Sequence, residues 1–157
     1  MAAESSLYDL VGDLVVFRNL SPVDPQIPDY DRAWAAMGMA GPARPRKQDP
    51  AFAQVLVWFL RRGRALGGVR TPLAELIYLG DTALADGNAF RNVRAAGGWR
   101  GWAFIAAERD ETLAVDIKDG VYSANRWSAL AEFAGWLLAA GAALDERTAV
   151  IVDIDKT

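Results

Sequence analysis

Thr148-Ala149-Val150-Ile151-Val152-Asp153-Ile154-Asp155-Lys156-Thr157 is a β-branched apolar run that passes without a break into alternating acids. Residues 148–152 read as a buried strand, with Asp153 and Asp155 at its tip. Leu76-Ile77-Tyr78-Leu79-Gly80-Asp81-Thr82-Ala83-Leu84-Ala85-Asp86 has the same grammar: a short apolar run, Gly-Asp, and another aspartate five residues on. Residues 83 to 96 then read as a helix closed by Gly97-Gly98, and Trp102-Ala103-Phe104-Ile105-Ala106 as the next strand. Strand, helix, strand alternation with continuously apolar strands predicts an α/β fold, with a largely parallel sheet covered on both faces.

Around this frame the punctuation is clear. Leu14-Val15-Val16-Phe17 is a candidate first strand, followed by a proline-rich loop from Pro22 to Pro28. Asp29 or Asp31 can cap a short helix containing Trp34 and Met37. Asp49-Pro50 reads as the start of a longer helix, with Phe52, Val55, Leu56 and Phe59 at helical spacing and Gly67-Gly68 at its end. Thr112 to Ile117 alternates into Lys118-Asp119-Gly120, a hairpin signal before Val121-Tyr122. Ser123 or Asn125 can cap a helix carrying Trp127, Leu130, Ala134, Leu137 and Leu138, ended by Gly141.

The chain has 157 residues, 52% of them apolar, and a net charge of −3. That supports one partial α/β domain over 1–157, with room for a sub-boundary near 110–125. No basic field draws it to nucleic acid or membrane. A secretory leader pattern is missing and the longest apolar stretch is too short to span a bilayer, so the cytoplasm is the default location. Cysteine and histidine are both absent. Zn sites of the Cys/His type, cysteine nucleophiles and Ser-His triads are therefore excluded, and any catalysis must run on carboxylates, hydroxyls, amines, backbone dipoles or an oxygen-bound metal.

In open α/β sheets, ligands bind at the carboxyl edge of the strands, where Asp81, Asp153 and Asp155 are expected. Acids crowded there repel unless a cation or a proton lies between them, and a hard divalent ion such as Mg²⁺ suits oxygen ligands. Both motifs also have an ordinary structural reading. Asp-x-Asp can start a turn, and Gly-Asp-Thr can cap a helix. The basic clusters Arg44, Arg46, Lys47 and Arg61, Arg62, Arg64 read as a solvated loop and a satisfied helix end, with an anionic-ligand patch as the alternative.

Val150 to Thr157 resembles the first motif of the haloacid-dehalogenase (HAD)-like hydrolases, and Gly80-Asp81 with Asp86 resembles that family's last motif. The resemblance implies a HAD-like Rossmannoid three-layer sandwich, here incomplete and carrying a small β-hairpin. It implies a Mg²⁺-dependent phosphohydrolase or phosphotransferase acting on a small phosphorylated substrate. Asp153 would be the nucleophile that forms an aspartyl-phosphate, and Asp155 the general acid and base. Asp153, Asp155, Asp81 and Asp86 would hold the metal, and Thr157 would shape the substrate loop. Arg70, in Arg70-Thr71-Pro72, stands where the family has a lysine before proline, though its forked guanidinium has a different geometry.

The motifs run in reverse of the family's usual order, which implies a permuted or duplicated member. Val15 to Ser21 aligns loosely with Ile151 to Thr157, with Phe17 in place of the nucleophile. The chain then reads as the first part of a longer protein, inactive alone, packing against the remainder or a second copy. Two other functions fit the same residues: a non-catalytic HAD-like binding or regulatory domain, and an Asp-x-Asp site for a metal–nucleotide sugar.

Overall fold

The computed structural model of the chain describes residue 14 and residues 16–153. The chain forms two compact units, one of residues 1–44 and 55–70, the other of residues 45–54 and 71–157.

The second unit holds a five-stranded sheet. Its strands are β1 (Glu75–Gly80), β2 (Arg100–Ala106), β3 (Val115–Lys118), β4 (Val121–Ala124) and β5 (Thr148–Val152), in the order β3-β4-β2-β1-β5. β1 pairs in parallel with β2 on one side and β5 on the other; β2 and β4 are also parallel, and only β3 is antiparallel. The carboxyl ends of β1, β2, β4 and β5 therefore share one edge. Residues 110–125, where a sub-boundary was open, supply β3 and β4 of this same sheet. The hairpin turn is built by Asp119 and Gly120, at φ 52° and 83°, the pair of left-handed residues that a two-residue hairpin loop demands.

Alternation along β1 splits the core. Tyr78 faces the helix Ala85–Gly97, where the ring of buried Phe90 lies 6.4 Å from its own. Ile77 faces the other way and joins Trp102, Phe104 and Tyr122 under Phe133 and Leu137 of the helix Leu130–Ala139. The Phe104 and Phe133 rings are 5.3 Å apart, a spacing that adds directional attraction to simple burial. Neither Ser123 nor Asn125 caps this second helix. Ser123 lies within β4, and Asn125 braces the preceding loop by accepting from Ala114 N and donating to Thr112 O. Glu108 instead accepts the Trp127 N–H at 2.7 Å, where a 3-10 turn (Trp127–Ala129) leads into the helix.

β5 departs from the buried strand its composition suggests. It is an edge strand, and Val150 and Val152 are 56% and 49% exposed, whereas Ala149 on the opposite face is buried. A run of apolar residues reports hydrophobicity but not how many neighbours the sheet supplies.

In the first unit, Tyr30–Ala33 forms a short helix, α1, capped by Asp29, whose Oδ1 accepts the Arg32 N–H at 3.0 Å. Val16 makes a single antiparallel bridge to Pro22, so the described part of the 14–17 run forms no strand of the sheet. The helix α2 (Pro50–Leu66) begins in the second unit and continues through the first. No helix among the described residues is long and apolar enough to cross a membrane. In chain order, Ala85–Gly97 is α3 and Leu130–Ala139 is α4.

Candidate metal centre

The parallel register pairs Leu79 with Val152, so the residues that follow β1 and β5 leave the sheet side by side. The Asp153 N–H even continues the ladder, donating to Leu79 O at 2.9 Å. Neighbouring strands lie about 4.8 Å apart, close enough for carboxylates at adjacent tips to share one cation. One oxygen each from Asp81, Asp86 and Asp153 does lie within 4.8 Å of the others.

The three acids are held differently. Asp86, on the first turn of α3, is fully buried. Its Oδ2 accepts the N–H groups of Asp81 and Thr82 at 2.9 and 2.7 Å, and its Oδ1 accepts the Tyr78 hydroxyl at 3.0 Å. It also ion-pairs with Lys47 Nζ. Four donors thus meet a group with about four lone-pair positions. Asp81 and Asp153 are only partly buried, and Asp81 Oδ1 accepts the Thr82 hydroxyl at 2.7 Å. Asp86 therefore anchors the turn, while Asp81 and Asp153 are the more accessible acids of the three.

Room for Asp86 depends on Gly80. A Cβ there would stand 2.5 Å from Asp86 Cγ, so a side chain and the buried carboxylate exclude each other. This gives the Gly-Asp pairing a packing reason independent of any ligand.

Lys47 reaches the cluster from the proline-rich loop before α2. Its ammonium bridges Asp86 and Asp153. The turn that presents it is closed twice: Asp49 N donates to Arg46 O, and Asp49 Oδ2 turns back to accept the Arg46 N–H, each at 2.8 Å. Asn92 of α3 then ties the turn down by donating to Gln48 O at 3.0 Å. Burial alone would pull the Lys47 pKa down, but the hydrogen bonds it donates to Asp153 and Asp86 outweigh it and hold the pKa above 10.5. Burial would likewise raise the Asp86 pKa, yet Lys47 and the Thr82 amide keep it below 3.8. The Tyr78 hydroxyl is pushed well up by burial and by the charge of Asp86, so it stays a donor.

Of the site residues expected from sequence, Asp81, Asp86 and Asp153 come together, while Asp155 and Thr157 lie outside the described residues. Arg70 is exposed and belongs to the first unit, and the cation in contact with the cluster is Lys47. Lys47 does not lie in a solvated loop as its neighbours suggest. The signal that could have found it is scarcity: Lys47, Lys118 and Lys156 are the only lysines, and Lys47 alone precedes the helix leading into β1.

Among the described residues the cluster holds three carboxylates and one ammonium, a formal net charge of −2. Its carboxylate donors are hard oxygens, with no nitrogen or sulfur ligand, which suits a hard divalent cation. A cluster of three aspartates able to hold a metal ion is thus in place. No known protein-family model, curated protein or solved structure matches the chain, so its function must be read from these residues and their geometry.

Proposed function

We propose that this chain carries the core of a Mg²⁺-dependent phosphoryl-transfer site of the HAD-like kind. The observation that carries the reading is the convergence of Asp81, Asp86, Asp153 and Lys47 beside the tips of two adjacent parallel strands, a formal net charge of −2 among the described residues.

In this reading Asp81 and Asp153 hold Mg²⁺, with Asp86 behind them. Bound there, Mg²⁺ would supply neutralisation of the charge on the phosphoryl oxygens. An Asp153 carboxylate oxygen attacks phosphorus in line, forming an O–P bond as the ester O–P bond breaks. Asp155, two residues on, gives its proton to the departing oxygen. It then takes a proton from the water that attacks the aspartyl-phosphate, releasing phosphate and restoring the Asp153 carboxylate. Lys47, held by Asp86, keeps Asp153 oriented and adds positive charge where the phosphoryl oxygens collect. The substrate class is a small phosphoester.

Calorimetric titration of Mg²⁺ together with orthovanadate, a phosphate mimic, tests this on the intact chain. Saturable binding that disappears in Asp81→Asn and in Asp153→Asn is the expected result. Binding that is absent from the parent chain, or unchanged in both variants, overturns the proposal. Retention of a nucleotide sugar with the metal, without any phosphate mimic binding, would instead favour an Asp-x-Asp sugar-nucleotide site.

A further inference from the structure

The first unit carries a second, chemically different concavity. Pro28, Trp58, Arg61, Arg62 and Ala65 line an open cleft of about 490 Å³. Four of these five come from one face of α2. Relative to Trp58, Arg61 and Arg62 stand three and four residues on and Ala65 seven, so their side chains rise over the same strip of helix. Pro28 forms the opposite wall. The Trp58 ring is half-buried and braced edge-on by buried Phe59, with ring centroids 5.5 Å apart at 76°.

The two arginines are exposed, and neither has a carboxylate within ion-pair distance among the described residues. Three aspartates of the first unit have other partners. Asp24 accepts from Gln26 N, Asp29 from Arg32 N, and Asp31 pairs with Arg44. Two adjacent guanidinium groups without a counter-charge repel each other, and an anion placed between them removes that repulsion. Guanidinium forks match phosphate oxygens in geometry, and a braced indole offers a flat apolar face for a ring. The small Ala65 leaves the strip open along the helix.

We propose that this cleft binds a small aromatic phosphate, such as a nucleoside monophosphate, with its ring on Trp58 and its phosphate between Arg61 and Arg62. This site is separate from the acid cluster: it uses cations instead of carboxylates and needs no metal.

Isothermal titration of the full chain with AMP, in EDTA so that no divalent ion reaches the acid cluster, provides the test. Adenosine and inorganic phosphate are titrated in parallel, and the exposed-site variant Arg61→Ala/Arg62→Ala is checked for native circular dichroism. The expected result is saturable AMP binding, at least about tenfold tighter than either half-molecule and weakened at least about tenfold in the double variant. Failure of AMP to saturate by about 10 mM overturns the proposal, as does equal affinity in a folded double variant. A short RNA that binds through the same arginines while AMP does not would also overturn it, in favour of a polynucleotide surface.

Discussion

β1 has a buried acid near each end, and the two are treated in opposite ways. At its amino end Glu75, 5% exposed, accepts the Ala143 N–H at 2.7 Å and faces Arg100 at 3.4 Å. One acid meets one cation, and the result ties the loop before β5 to the sheet. At its carboxyl end Asp86 is more deeply buried, and two further aspartates stand beside it, with Lys47 the cation that the described residues bring to Asp86 and Asp153. A balanced pair braces the fold. An unbalanced cluster keeps a standing demand for positive charge, and burial alone does not distinguish the two.

The sharpest way to break this contrast is Asp86→Ala. It strands two backbone amides, the Tyr78 hydroxyl and Lys47 together, so urea denaturation should show a loss of about 3–5 kcal/mol, the usual cost of breaking a buried charge network. Acid should reproduce part of that loss. The Asp86 pKa is lowered on folding, so its contribution is present above 3.8 and fades as pH falls through the lowered value. The Lys47 pKa is raised on folding, so its contribution is intact below 10.5 and fades as pH rises through the raised value. Denaturation midpoints measured across pH should therefore be flat in the neutral range and fall at both ends, and Asp86→Asn should flatten the acid fall. Gly80→Ala places a methyl group against Asp86, so a thermal melt should register about 1–3 kcal/mol of overpacking. Glu75→Gln comes last. Its amide oxygen still accepts the Ala143 N–H, and the lost pair with a largely exposed arginine should cost about 1 kcal/mol or less.

Much of the sheet was legible because each strand announces itself locally. Leu76–Leu79, Trp102–Ala106 and Thr148–Val152 are short apolar runs bounded by glycine or charge, and the Asp119-Gly120 turn states its own geometry. The site was legible only on the side built from strand tips. Asp81, Asp86 and Asp153 follow apolar runs, whereas Lys47 is 106 residues from Asp153 and sits among prolines and arginines. The residue types around Lys47 are those of a solvated loop, and its role depends on contacts with residues far along the chain, Asp86 and Asp153, and on Asn92 holding Gln48. The entry to α4 failed for the same reason, since its donor is met by Glu108 from another loop. The described part of the 14–17 run differs in another way: its apolar composition favours a strand, but Val16 finds only a single bridge to Pro22.

The outer border of β5 carries a practical consequence. Among the described residues no strand pairs with this border, and a row of main-chain donors and acceptors flanked by two solvent-facing valines is adhesive toward other extended chains. The preparation should therefore grow less well behaved as it is concentrated, with self-association beginning at this border while the aromatic interior remains intact.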